Sequence, residues 1–332
     1  MILIFVHEIG HLISAKLTGI RVNEFALGMG PKIFGFDKGE TRYTLRAIPL
    51  GGFCALEGDD EDSEDPRAFN NRPARFRALL LFAGSLMNVL LAIVLISLII
   101  FSLGFPTRVI ATVHEEMPAY SDGLRAGDEI VMINGTPVAG WGEISPLLKA
   151  AAKADENSDP LLIITVKRDG SEHTIRTHFY KDEDGSLILG ISPKPGWSLA
   201  YFFKSFGYGV RQTVEMCKMM YDVLGQLFTG KVGVDQIMGP VGIAVIVGDT
   251  VKYGFTNLAY LTALISLNLG IINLLPFPAL DGGRLIFLLI RKITGKKITN
   301  EIEGRVHLVG ILVLFGFMAL ITMQDINRFF IN

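Results

Sequence analysis

The chain has 332 residues, half of them hydrophobic and only 19% charged. Its mean hydropathy of +0.41 is higher than soluble domains usually show and points to a membrane protein in contact with the lipid bilayer. A formal charge of -2 and a pI near 6.3 offer no basic face, which argues against nucleic acid as a partner.

The first apolar segment, residues 1–17, contains IFVHEIGHLISA, with two histidines and a glutamate in an otherwise oily helix. A charged group at the centre of a bilayer costs roughly 2.5–3.5 kcal/mol on insertion scales, so such residues normally have a functional partner. His7-Glu8-Ile9-Gly10-His11 is H-E-x-x-H, and on a helix residues four apart share one face. Two imidazoles can therefore share one zinc, with Glu8 beside them to take a proton from water. The competing reading, a pair of satisfied core histidines, finds few partners in a membrane segment. Only residues 1–6 precede His7, and at ~1.5 Å per residue they reach about 9 Å, too little to complete a span. The start is therefore expected to be misassigned, or the chain a fragment.

Residues 18–77 are rich in Arg and Lys, and within them residues 41–58 read as a hairpin around residues 49–52. Residues 79–105 carry no charge and are long enough to cross a hydrocarbon core of about 30 Å. Residues 106–192 change character, with alternating strands, an Asn-Gly turn and one helical stretch. Residues 197–230 suggest a helix lying on the membrane surface or packing against the spans. Two further spans are expected at residues 258–276 and 306–323. The basic loops at 18–77 and 284–305, the second including Lys296 and Lys297, are cytoplasmic by the positive-inside tendency. The acidic run from Asp59 to Asp62 weighs little in that rule. The insert then lies outside, which puts Cys54 and Cys217 on opposite sides of the bilayer and argues against a disulfide.

A catalytic zinc usually has three protein ligands and an open position. The third ligand is expected in NLGIINLLPFPALDGGRL, residues 268–285, where Pro276 and Pro278 break the helix and Asp281 can turn toward the histidines. The alternative is that Asp281 caps a turn at the span end. Asn268 and Asn273 lie just upstream, and an amide near an open zinc can hydrogen-bond a peptide or a developing oxyanion. For Asn268, interhelical hydrogen bonding is the plainer reading.

H-E-x-G-H in the first segment together with Asn-Leu-Leu-Pro-Phe-Pro-Ala-Leu-Asp-Gly at residues 273–282 resembles the site-2 protease family, the intramembrane zinc metalloproteases, and the layout is similar to its bacterial RseP/RasP-type members. FALGMGPKIFGF, AIPLGGFCALEG, NRPARFRALLLFAGSLMN and GPVGI occur in family order. The run at residues 123–138, GLRAGDEIVMINGTPV, resembles a PDZ domain, a fold that can hold a peptide by strand addition. The resemblance implies a polytopic α-helical membrane protein of about four transmembrane helices, with an inserted PDZ-like α+β domain and a short membrane-associated β-hairpin. Its parts would be residues 1–105 (first half of the membrane core), 106–192 (PDZ-like domain), 193–255 (amphipathic linker helices) and 256–332 (second half of the core).

The resemblance makes His7, His11 and Asp281 the zinc ligands, Glu8 the general base, and Asn268 and Asn273 the substrate-contacting asparagines. Gly84 and Asn88, in a stretch similar to the family's Ala-Gly-Pro-x-x-Asn but with Ser85 in place of proline, would bring the second span to the site. The implied activity is cleavage of the membrane segments of single-span substrates, such as anti-sigma factors and remnant signal peptides. The implied place is a bacterial plasma membrane, with the active site toward the cytoplasm and the PDZ-like domain outside. A contrasting reading is a non-catalytic receptor for exported peptides with a structural metal, which would need a fourth protein ligand. His114, His173 and His178 fall in the insert, and His307 begins the last span. A metal transporter would want polar residues along several spans, and the second and last are nearly bare of them.

Overall fold

A computed structural model describes residues 1–59, 63–154, 161–178, 180–181, 187–231, 233, 238–295 and 300–331. Of the charges used to orient the chain, residues 60–62, Lys296 and Lys297 lie outside these. In chain order the elements are α1 (Ile2–Thr18), β1 (Val22–Lys38), β2 (Thr41–Leu56), α2 (Ala74–Leu103), β3 (Phe105–Val113), α3 (Pro118–Ser121), β4 (Glu129–Ile133), β5 (Thr136–Pro137), α4 (Ile144–Ala154), β6 (Leu161–Arg168), β7 (Ser171–His178), β8 (Tyr180–Lys181), β9 (Leu187–Ile188), β10 (Ile191–Gly196), α5 (Leu199–Phe228), α6 (Pro240–Lys252), α7 (Phe255–Asn273), α8 (Asp281–Thr294) and α9 (Asn300–Ile326). The chain divides into two compact units, residues 1–99 with 206–332, and residues 100–205.

In the first unit, α2, α7 and residues Glu301–Phe330 are, among the described residues, the three helices long and apolar enough to cross a membrane. The chain is a membrane protein. Helix α1 spans 17 residues. On α2 the small or polar residues Gly84, Ser85, Asn88 and Ala92 are buried alongside Leu80, Leu81 and Ile96, while Phe82, Leu86, Leu90 and Val94 are exposed. That inversion suits lipid, where apolar side chains face outward and helices approach each other through small residues. Ser266 on α7 donates to the backbone carbonyl of Asn88 at 2.9 Å, joining these two helices.

Residues 41–58 do reverse direction between Leu45 and Gly52, but the two arms do not pair with each other as a simple hairpin would. One reversal lies between β1 and β2, at Gly39 (φ 64) and Glu40. A second lies within β2, whose extended stretch continues past Pro49 while its pairing with residues 24–27 of β1 switches from parallel to antiparallel order. Residues 24–27 of β1 pair both with residues 42–45 and with residues 52–55 of β2, so the two arms of the expected hairpin are separated by a third segment. Pro49, which has no N–H for a ladder, sits where the partner changes. A cluster of Ala15, Ile20, Val22, Leu56, Leu80 and Leu288 ties the sheet to α1, α2 and α8. Beyond the spans, α9 also fastens α6: buried Asp325 accepts the Gly242 N–H at 2.7 Å in the first turn of that helix.

The second unit holds a six-stranded sheet in the order β10-β3-β4-β6-β7, with β5 paired to β4. The expected Asn-Gly turn joins β4 to β5, with Asn134 at φ 48 and Gly135 at φ 76. Its core is apolar, built from Ile110, Leu124, Ile130, Leu162, Ile164 and Val166. One carboxylate is buried there. Asp128 takes Nε and Nη2 of Arg168 at 2.6 and 2.7 Å and the backbone N–H of Arg125 at 2.9 Å. Burial alone would raise its pKa, but the guanidinium and the N–H outweigh that and hold it below the usual carboxylate range.

Candidate metal centre

Helix α1 places His7 and His11 one turn apart on its buried face, with exposures of 7% and 8%. Their Nε2 atoms lie 3.2 Å apart. Asp281 comes from the far end of the chain. Helix α7 ends at Asn273, residues 274–280 turn through Pro276 and Pro278, and α8 opens with Asp281. The turn is held where the backbone N–H of Ala279 donates to His307 Nδ1 at 2.8 Å. Gly282 and Gly283 are packed so closely under the carbonyls of Leu274, Leu275 and Phe277 that a Cβ at either would overlap them. Together these contacts bring Asp281 Oδ2 to 3.2 Å from His7 Nε2 and 3.4 Å from His11 Nε2.

This triangle fits a metal. A tetrahedral zinc with bonds of about 2.0–2.1 Å would hold its ligands roughly 3.3–3.4 Å apart, close to the three observed edges. Asp281 Oδ2 is buried and has no hydrogen-bond donor, although both imidazole nitrogens stand near it. A carboxylate oxygen left so is costly unless a cation takes it up. Among the described residues the set of mutually close His, Cys, Asp and Glu ligand atoms holds these three residues and no fourth. One position is therefore free for water or substrate, as at catalytic zinc.

Behind the rings stands α2. His11 Nδ1 lies 3.0 Å from the carbonyl of Leu80, an acceptor only, so Nδ1 carries the proton and Nε2 keeps its lone pair for the ion. Four residues on, Gly84 faces both imidazoles. A Cβ there would stand 2.6 Å from His11 Nε2 and 2.7 Å from His7 Cε1. Gly10 meets the Ala83 backbone in the same way from α1. The pairing of Gly84 and Asn88 with the site, expected from the second segment, is present despite Ser85, which is fully buried.

Glu8 lines a cavity of about 340 Å³ that also contains His7, His11, Asn273 and Asp281, with Phe53 and Cys54 of β2 on one wall. Gly52 comes so close that a Cβ on it would lie 3.3 Å from Glu8 Cγ. Asn273 Nδ2 is 3.4 Å from His7 Nε2. Asn268 is exposed on α7 and is absent from the cavity wall. A second cavity of about 450 Å³ adjoins across Asp281 and Arg284, with Asn70, Glu303 and His307 on its wall. Sequence reasoning missed the Arg284–Asp59 pair at 2.8 Å, whose residues border both cavities. An arginine three residues after Asp281, at the start of a helix beside a span, was the available signal. It also missed the Leu80 carbonyl, a backbone group that leaves no trace in side-chain patterning.

The family model for peptidase family M50 matches residues 1–317. A protein of Clostridium acetobutylicum, provisionally named a zinc metalloprotease, is 36% identical over 98% of this chain and 94% of its own. The regulator of sigma-W protease RasP of Bacillus subtilis is 30% identical over 99% of this chain and 96% of its own. A solved PDZ domain from Listeria monocytogenes matches 27% of this chain and 88% of its own at 20% identity, with a TM-score of 0.22. Matched by the family model along nearly its whole length and by relatives end to end, the chain belongs to peptidase family M50, the site-2 proteases.

Proposed function

We propose that the protein is a zinc endopeptidase that hydrolyses peptide bonds in the membrane segments of single-span proteins. The observation that carries this reading is the open triangle of His7, His11 and Asp281 beside Glu8 in a cavity. These three residues would hold the zinc. When bound, the ion supplies Lewis acidity, polarising the scissile carbonyl and making water acidic enough to attack near neutral pH. Glu8 takes the proton of the attacking water and passes it to the amine that leaves as the C–N bond breaks. Asn273 Nδ2, beside His7 Nε2, donates to the carbonyl oxygen as it gains charge. Asn268, exposed on the same helix, would meet a substrate only outside the cavity.

A helical substrate hides its peptide bonds and must be unwound first. Phe53, Cys54 and Leu56 of β2 border the cavity, and the pairing of residues 52–55 with β1 supports this arm beside Glu8, where an extended substrate can add as a strand. Loop charge supports a plasma-membrane enzyme of four spans, α1 included, with the site toward the cytoplasm and a PDZ-like domain at residues 106–192 outside. Anti-sigma factors and remnant signal peptides are the proposed substrates, and the name of the Bacillus subtilis relative supports the first. A closed structural metal in a receptor would need a fourth ligand, and the described residues place none there.

The test is cleavage of a single-span helical substrate by purified protein in lipid. Chelation should stop it, with activity returning on adding zinc. Glu8→Gln should slow turnover by about 10²–10⁴-fold, the usual worth of a general base. Undiminished cleavage by this variant would overturn the mechanism.

A further inference from the structure

The two ligand histidines are not held alike. His11 has the Leu80 carbonyl behind its ring. Behind His7 stands Asn88, which is 0% exposed and on the same face of α2 two turns later. Its Nδ2 lies 3.3 Å from His7 Nδ1, and its Oδ1 is buried with no donor. An imidazole that gives its Nε2 lone pair to a metal carries its proton at Nδ1, so in that arrangement two N–H groups would face each other. A half-turn of the amide about its Cβ–Cγ bond exchanges nitrogen for oxygen at the same place, and amide orientation is assigned from such networks. His7 Nδ1–H then donates to Asn88 Oδ1.

We propose that Asn88 is a positioning residue whose amide oxygen accepts the Nδ1–H of His7 and fixes that ring with Nε2 toward the metal. The proposal rests on the zinc-peptidase reading. Leu80, Gly84 and Asn88, at intervals of four, then form one face of α2 devoted to the ligand histidines. Its ends accept a hydrogen bond from each ring, and its centre lacks the side chain that would displace them. The backbone of Asn88 is itself anchored, because its carbonyl accepts the Ser266 hydroxyl from α7. Outer acceptors of this kind raise the basicity of a ligand imidazole, and their loss typically costs 10–100-fold in metal affinity.

The experiment measures zinc affinity of the full chain in detergent, by competition with a chromophoric chelator, for wild type, Asn88→Leu and Asn88→Asp, with melting temperatures recorded with and without zinc. Asn88→Leu, which removes the acceptor, should bind about 10–100-fold more weakly. Asn88→Asp keeps an acceptor of the same shape and should bind as tightly as wild type or more so, while its buried charge lowers the melting temperature of the metal-free form. A purely structural Asn88 predicts the reverse ranking, because a buried unpaired carboxylate costs more than leucine. Equal affinities for Asn88→Leu and wild type overturn the proposal, as does an equal loss in both variants. If Asn88→Leu does not fold, the aspartate variant decides: a rise in melting temperature with zinc at least as large as wild type's supports the role, and a smaller rise overturns it. Wild type that binds no zinc overturns the peptidase reading and the proposal together, an outcome distinct from all of these.

Discussion

The two units bury polar groups by opposite rules. In residues 100–205 the core is aliphatic, and the carboxylate enclosed there, Asp128, is met on both oxygens by Arg168 and on one by a backbone N–H as well. In the other unit α2 turns large apolar side chains outward, the interior holds His7, His11, Ser85 and Asn88 beside an apolar cluster, and the buried Oδ2 of Asp281 has no hydrogen-bond donor. A water-facing domain gains stability by closing its polar contacts, since an unpaired buried group costs about 1–3 kcal/mol. A site that must take up a metal has to leave donor atoms open. The first unit accepts that cost next to a helix face shaped for it.

The contrast breaks most severely at Gly84. Replacing it with alanine drives a methyl group into both imidazoles, and zinc affinity should fall at least about 100-fold, as expected when ligand geometry is lost. Leu86→Ala, on the exposed side of the same helix, should leave affinity unchanged. Chelator competition on the two variants checks this, and near-normal binding by Gly84→Ala would show that α2 can retreat from the rings.

A smaller effect is expected in the other unit. Arg168→Ala leaves Asp128 buried with only its backbone donor, and should destabilise the fold by about 2–3 kcal/mol. The sign of the pH dependence follows from the depressed pKa of Asp128. The pair's contribution is complete above the ordinary carboxylate pKa of about 3.9 and is lost as pH falls through the lower folded value. Denaturant unfolding of wild type and variant should therefore differ at neutral pH and converge in acid.

The smallest effect sharpens the comparison inside the membrane unit. Asp325→Ala removes the acceptor at the N-terminus of α6, and should cost about 1 kcal/mol, the usual worth of a helix cap. It should not alter zinc affinity. A change in affinity would mean that α6 and α9 bear on the metal triangle.

Much of the site was legible because its parts violate their surroundings. His7, Glu8 and His11 stand out in an apolar helix at a spacing that one helical face explains, and Asp281 stands out beside two prolines and two glycines. The spans at α2, α7 and α9 were legible for the converse reason, an absence of charge over a membrane's thickness. The sheet was less so. An apolar stretch with Pro-Leu-Gly-Gly at its middle reads as a hairpin by local turn chemistry, yet residues 24–27 of β1 lie between its arms. Pairing between segments distant in sequence has no local signature, since any extended apolar run can serve as partner.

The sequence by itself determined which chemistry was possible: two imidazoles one turn apart, a base beside them, a carboxylate freed by broken helix, and enough apolar chain to span a bilayer. These follow from helical periodicity, proline's missing donor and transfer energies, all local properties. Only the tertiary structure decided that Asp281 closes a triangle of 3.2–3.4 Å edges with the histidines, that Gly84 must lack a side chain, and that Asn88 rather than Asn268 lies against a ligand ring. Those depend on the approach of α1, α2 and the α7–α8 turn to within van der Waals contact, a distance that no spacing along the chain encodes.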